Sequence, residues 1–397
     1  MLHTPDAPVG QRIAYWRHRR GLTQQVLAGL VGRSVPWLSL IERGDRTVEK
    51  IADLLALANV LKVEPGDLIG GVELPPNGGG PLDPPRGIPA IRRAVLVDRP
   101  PDHEPLDAAE LRTHVEHARR LEARGSYEAL VVVLPELIIA GRAAAAAEAP
   151  GAWWNLAAAL QVASRVARKV GDPQLAWVAA ERAGTAARRS GDGLMGALSE
   201  RLRANALMRL GWLDEAGAVC SDGADAIAPT EATPIEGWAV WGTLQLTESV
   251  AAVRGGDDAA AWRLLRDARV AAERVGEGRN DYWQSFGPAS TGLIEVTVAL
   301  EAGNAVEALR IADGVEVDEL TSAALRARFC VHVAQAHMLR RDDAAAVALL
   351  LEAERHSAET VRYSVKAREL VRVCLGRERR SRTPGLRGLA ERLGVTG

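Results

Sequence analysis

The sequence predicts an all-α chain in two parts, a small helical unit followed by a long stack of helical hairpins. Three observations carry this. Apolar residues recur at three- and four-residue spacing, with no sustained alternation of the strand kind. Residues 72–105 hold nine of the 20 prolines and a Gly-Gly-Gly run, a composition that sustains neither a helix nor a central strand and divides the chain. Beyond that divide, one turn signal returns six times.

The chain has 397 residues, 47% hydrophobic and 25% charged, which allows two folding units with a large core and argues against wholesale disorder. The units are placed at 1–71 and 106–397, with 72–105 as linker. Inside the linker, Ile88–Val97 (IPAIRRAVLV) has the spacing of one short amphipathic helix that could dock on a neighbour. The sequence holds no run of about 18 or more uncharged apolar residues, so no membrane span is expected. The opening MLHTPDAPVGQ lacks the charged head and apolar core of a signal peptide, so a cytoplasmic location is predicted. Cys220, Cys330 and Cys374 lie far apart with no C-x-x-C, a spacing of buried thiols rather than of a zinc site or a disulfide framework.

Charge is unevenly spread. Residues 9–50 carry eight bases against Glu42, Asp45 and Glu49, and residues 366–392 carry nine against Glu369, Glu378 and Glu391. A total of -2 therefore leaves the middle strongly acidic. The basic run at 376–392 reads as a solvated face, or as a second contact for nucleic acid or for acidic repeats.

The first 71 residues parse into five short helices, with turn signals at Gly21, Gly32, Gly44 and Pro65. Thr23 can cap the second helix and Ser34 the third. Between Gln24 and Ile41 lies a helix-turn-helix constellation: Ala28 small where two helices cross, Gly32 at the turn, and Leu27, Val31, Leu38 and Ile41 facing the core. With GLTQ at 21–24 and IERG at 41–44, this segment resembles the lambda-repressor/Cro-like (Xre) helix-turn-helix family over about 60 residues.

That resemblance implies a repressor-like domain that binds double-stranded DNA, with the helix after Ser34 in the major groove. Gln24, Arg33, Ser34, Val35, Pro36, Trp37, Ser39 and Arg43 inherit contact roles by position, and Arg46 does so less directly. Gln24 and Arg43 would hold phosphates, which positions the protein without reading bases. Val35, Pro36 and Trp37 stand where Gln, Ser or Arg often read base edges. Readout would then rest on thymine methyls, Ser39, Arg33 and groove shape, with modest specificity per half-site and a homodimer to compensate. Trp37 has a second reading, as a core residue packed on the first helix.

In the C-terminal part the recurring signal reads Gly125-Ser-Tyr, Gly171-Asp-Pro, Gly211-Trp-Leu, Gly256-Asp-Asp, Gly303-Asn-Ala and Arg341-Asp-Asp. Five residues after each first position stands Leu130, Ala176, Ala216, Ala261, Ala308 and Ala346 in turn. The glycine can end one helix in the left-handed conformation, Asp or Asn can cap the next, and alanine permits close approach. Six helix pairs fit about 107–357, an α-solenoid of degenerate tetratricopeptide-like hairpins with a concave binding surface. Together with an Xre-like head, RSVPWLS at 33–39, DYWQSFGPAS at 281–290 and RYSVKARELV at 362–371 are similar to an actinobacterial type of regulator. That resemblance implies a repeat domain sensing a peptide, a small molecule or a protein partner.

Eight of the ten tryptophans lie in the repeats. Candidates for an effector-binding wall are Trp154, Trp241, Trp283 and Gln284, with Asn155 and Asn205 as possible clamps on a peptide backbone or as solvent-facing residues. Phosphate-loop, zinc-protease and acyl-transfer signatures are absent, so no enzyme and no cofactor is expected. His114 and His117 with Glu110 have metal-compatible spacing but read as an exposed face. The favoured function is a dimeric sequence-specific regulator; the alternative is an interaction scaffold with weak or non-specific DNA binding.

Overall fold

The computed structural model describes residues 9–44, 48, 51–63, 68, 85, 87–97, 106–378 and 383–395. All regular structure among the described residues is helical. The chain forms two compact units, 1–77 and 78–397. Most of the expected fifth N-terminal helix, the Gly-Gly-Gly run and part of the basic 376–392 segment lie outside the described residues.

The N-terminal unit contains α1 (Val9–Arg19), α2 (Gln24–Leu30), α3 (Val35–Arg43) and α4 (Ile51–Leu61). Thr23 begins α2 by accepting from the Val26 N–H at 3.2 Å, and Ser34 begins α3 by accepting from Trp37 N–H at 3.3 Å. Pro36 sits in the first turn of α3, where its missing donor is harmless. Ile13, Trp16, Leu27, Ala28, Leu38, Ile41 and Leu57 form the core. Val31, expected in that core, instead ends α2 and is half-buried. Gly10 went unnoticed in sequence, yet a Cβ there would lie 1.8 Å from the Ile41 carbonyl oxygen, so α1 and α3 can cross only over glycine.

The second unit opens with α5 (Ile88–Leu96), the helix foreseen within the linker. It buries Ile88, Ile91, Ala94 and Val95. Arg142 donates to Ala94 and Val97 carbonyls and Arg182 to that of Leu96, satisfying the last carbonyls of α5.

Six hairpins follow: α6 (Ala108–Arg124) with α7 (Tyr127–Ala146), α8 (Ala152–Lys169) with α9 (Pro173–Ser190), α10 (Gly193–Arg209) with α11 (Leu213–Asp225), α12 (Ile235–Gly255) with α13 (Asp258–Val275), α14 (Pro288–Glu301) with α15 (Ala305–Ala312), and α16 (Ala323–Leu339) with α17 (Asp343–His356). Then come α18 (Ala358–Arg362), α19 (Val365–Gly376) and α20 (Leu386–Arg392). Each recurring signal sits at the turn inside a hairpin, and its first residue has left-handed φ, including Arg341 at 65°. Asp172, Asp257, Asn304 and Asp342 cap the following helices through their side chains. Ala176, Ala216, Ala261, Ala308 and Ala346 are fully buried, which is why a larger side chain there would overpack the hairpin.

By length and composition α7 is apolar enough to cross a membrane, although Glu128, Glu136 and Arg142 interrupt it and leave no uncharged run of about 18 residues. Its Leu130, Leu134 and Ile138 are buried among the hairpins and Arg142 holds α5, as befits a core helix.

The stack also closes on itself. The first helices touch in sequence, α6 to α8, α10, α12, α14 and α16, and α16 returns to α6. The closure is knitted by the Glu128 N–H donating to Glu359 Oε2 at 2.8 Å, by Lys169 Nζ donating to the Thr360 carbonyl at 3.0 Å, and by the Tyr127 and Tyr363 rings at 6.2 Å. A Cβ at Gly125 would lie 2.3 Å from both Ser357 Oγ and Thr360 Oγ1, so that glycine serves the closure as well as its own left-handed turn.

Candidate nucleic-acid interface and ring interior

Two places gather the chemistry. In the first, α3 presents Ser34, Val35 and Pro36 as exposed residues at its N-terminal end, with Trp37 and Ser39 half-buried and Arg43 exposed at its far end. Glu42, on the other side of α3, accepts from Arg17 Nε at 2.6 Å and Nη2 at 2.8 Å, and from Gln24 Nε2 at 2.8 Å. One buried carboxylate thus ties α1, α2 and α3 together and fixes the angle of α3.

Two of the residues assigned to DNA have partners within the domain. Gln24, assigned to a phosphate, has its amide donor on Glu42, because a carboxylate that has lost water recruits every donor within reach. Arg33 is held bidentate by Asp53, at 2.6 and 2.8 Å from Nη2, with its guanidinium 5.5 Å from the Trp37 ring centre. Trp37 is half-buried, with the Arg33 guanidinium against its ring. Arg46 lies outside the described residues.

Within the ring, the segment between α13 and α14 reaches inward. Tyr282, Trp283 and Ser285 all have positive φ, a strain that the surrounding contacts must hold. Trp283 lies 5.5 Å from Trp154 and 4.8 Å from the Arg119 guanidinium. Asp192 Oδ2 accepts from Trp154 Nε1 at 2.9 Å and from the Tyr282 hydroxyl at 3.0 Å. Gln284 accepts from Arg201 Nη1 at 2.8 Å. Trp154, Trp283 and Gln284 therefore join one network, together with Arg119, Asp192 and Arg201, which sequence reasoning missed.

The other effector candidates stand apart from that network. Trp241 packs against Trp238 at 6.1 Å among core residues, and Asn205 donates back to its own helix at the Arg201 carbonyl, 2.8 Å away. Asn155 is buried rather than solvent-facing, and its Oδ1 has no partner. His114, His117 and Glu110 are exposed, and no metal-holding group occurs among the described residues. The three cysteines are buried free thiols, and burial pushes Cys330 and Cys374 up to about 11.

Residues 9–69 match a family described as a helix-turn-helix domain. Comparison with characterised proteins by sequence gave no match. Among solved structures, that of Bacillus thuringiensis PlcR in complex with the peptide PapR7 and DNA aligns with 86% of this chain and 98% of that one, at 14% identity and a TM-score of 0.36. Residues 9–69 are thus a helix-turn-helix domain, followed along the chain by a stack of helical hairpins.

Proposed function

We propose that the protein is a cytoplasmic, non-enzymatic transcriptional regulator of the Xre type, binding DNA as a homodimer through α3 and sensing an effector through its hairpin ring, in the manner of the actinobacterial regulators it resembles. The observation that carries this reading is the exposed Ser34–Pro36 edge of α3, oriented by the Arg17–Glu42–Gln24 cluster beside basic α1. Arg43 supplies a backbone-directed cation at the far end of the helix.

A weaker binder, working as an interaction scaffold, is favoured by one feature: Arg33 and Gln24 spend donors on Asp53 and Glu42 instead of presenting them outward. Salt separates the two readings. The purified protein is incubated with fragmented genomic DNA at physiological salt and the retained fragments are sequenced, beside a Gln24→Ala, Arg43→Ala variant. A shared pseudo-palindrome kept by the native protein alone supports the regulator; loss of nearly all binding between 50 and 200 mM salt without preference supports the scaffold.

A further inference from the structure

Six first helices arranged in a closed cycle surround an interior, which the segment carrying Trp283 and Gln284 enters. Its charged groups are mostly cationic. Arg119 from α6, Arg165, Arg168 and Lys169 from α8, Arg201 from α10 and Arg328 from α16 are enclosed by protein, and all but Arg119 keep some accessible surface.

Arg168 is the hub, within electrostatic reach of Lys169, Arg201, Arg328 and Glu122. Against these cations stands Glu122, which already serves Arg165 and, at 3.4 Å, Arg119. Burial pushes Glu122 up to about 7, so even this carboxylate is an incomplete counter-charge at neutral pH. Several donors remain without an acceptor: Nε of Arg119, Arg168 and Arg328, and Nη2 of Arg165. Guanidiniums stay protonated under any ordinary condition, so the imbalance cannot be removed by shedding protons from them. A negatively charged guest would remove it.

We propose that the ring interior is a binding site for a small phosphorylated molecule, with its phosphoryl oxygens taken by Arg168, Arg201 and Arg328. This rests on the sensor reading of the ring and names the chemical class of its effector. Arg168, Arg201 and Arg328 come from three different helices of the cycle and lie within electrostatic reach of one another, and donors from separate directions suit a tetrahedral phosphoryl group better than a planar carboxylate. His332, also inside, is held neutral by its burial and by Lys366, Arg328, Arg254 and Lys169, and accepts or donates at Thr297 Oγ1, 2.7 Å away. It adds no positive charge and leaves the guanidiniums to do the binding.

The test uses the full-length protein without DNA, titrated calorimetrically with inorganic pyrophosphate at ionic strength held constant with potassium chloride. Citrate serves as the polycarboxylate arm. Saturable pyrophosphate binding is expected, weakened about tenfold or more in Arg168→Met and in Arg328→Met, and unchanged in Arg120→Met, which alters an exposed side chain on the outer face of α6. Both interior variants should melt at or above the native midpoint in the absence of ligand, since each removes an enclosed charge with no full counter-charge. Affinity equal in native and interior variants, or a response that chloride alone reproduces, overturns the site; tighter binding of citrate overturns the phosphoryl assignment. Genomic-DNA retention is measured on the same preparations. Sequence-selective retention by a protein that ignores pyrophosphate defeats this inference alone, whereas pyrophosphate binding without sequence preference defeats the regulator reading alone.

Discussion

Two regions of this chain are rich in arginine and handle it in opposite ways. In the helix-turn-helix domain, basic residues cluster along the sequence, and several find local partners: Arg17 takes Glu42, Arg33 takes Asp53, and Arg20 caps α4 through the Leu61 carbonyl at 2.9 Å. In the ring, arginines scattered over more than 200 positions of an acidic stretch converge on one interior and outnumber the acid among them. A charge count along the sequence therefore reveals the first concentration and conceals the second. Net charge describes a region's surface only when its charges are all on the surface.

The difference can be tested by deletion. Glu42→Ala should have the largest effect, about 3–5 kcal/mol lost from the N-terminal domain, because it leaves buried Arg17 without its partner. Urea unfolding followed by circular dichroism should show the loss in that domain's transition and not in the ring's; a loss below about 1 kcal/mol would mean that the pair is no better than a surface one. Gly125→Val comes next. Its side chain would collide with Ser357 and Thr360 and occupy a left-handed site, at about 1–3 kcal/mol from overpacking, read as a lower melting midpoint of the ring alone.

Arg43→Ala should leave stability within about 0.5 kcal/mol, because the residue is exposed. It should reduce the slope of log affinity against log salt by about one for DNA. An unchanged slope would remove Arg43 from the interface.

The last test concerns protons. Burial, then Arg168 and Arg328, lowers Lys169 to about 7, against about 10.4 in an unfolded chain. Between those values the unfolded chain holds a proton that the folded ring lacks, so this group's contribution to stability rises with pH through that window and is at its lowest below it. Groups around the ammonium are Arg168 on its own helix, Arg328 and His332 on α16, and the Tyr127 ring at 5.7 Å. Glu122, raised to about 7, acts below that window: its contribution falls as pH rises from about 4.3 to 7. Melting midpoints of the native protein should rise between pH 7.5 and 9.5, and Lys169→Met should flatten the rise; parallel curves would contradict the assignment.

What the sequence allowed one to read was local. Hairpin turns were visible because a left-handed residue, a capping Asp or Asn and a small packing residue all fall within six positions, so the register carried even Arg341 into its place. Ser34 and Thr23 announced α3 and α2 for the same reason. Closure was invisible, since Gly125 and Thr360 are far apart in sequence and each has an adequate local explanation. The same holds for Gly10, which reads as an ordinary helix residue until Ile41 is set against it. One faint signal for the interior did exist: Lys169 and Arg254 each stand two residues before a turn glycine, the same position on two of the first helices.

Joining the last helices to the first changes what kind of repeat protein this is. An open array has terminal units that fray, and it can gain or lose a unit by duplication or deletion while its neighbours carry on. A closed one has no end from which to melt, so its hairpins should unfold together in a single step, and its repeat number is fixed by the angle that brings α16 back to α6. A seventh hairpin would pry Tyr127 from Tyr363, and a fifth-only ring would never bring them together, so divergence in this part of the chain has side-chain exchange open to it and repeat number closed.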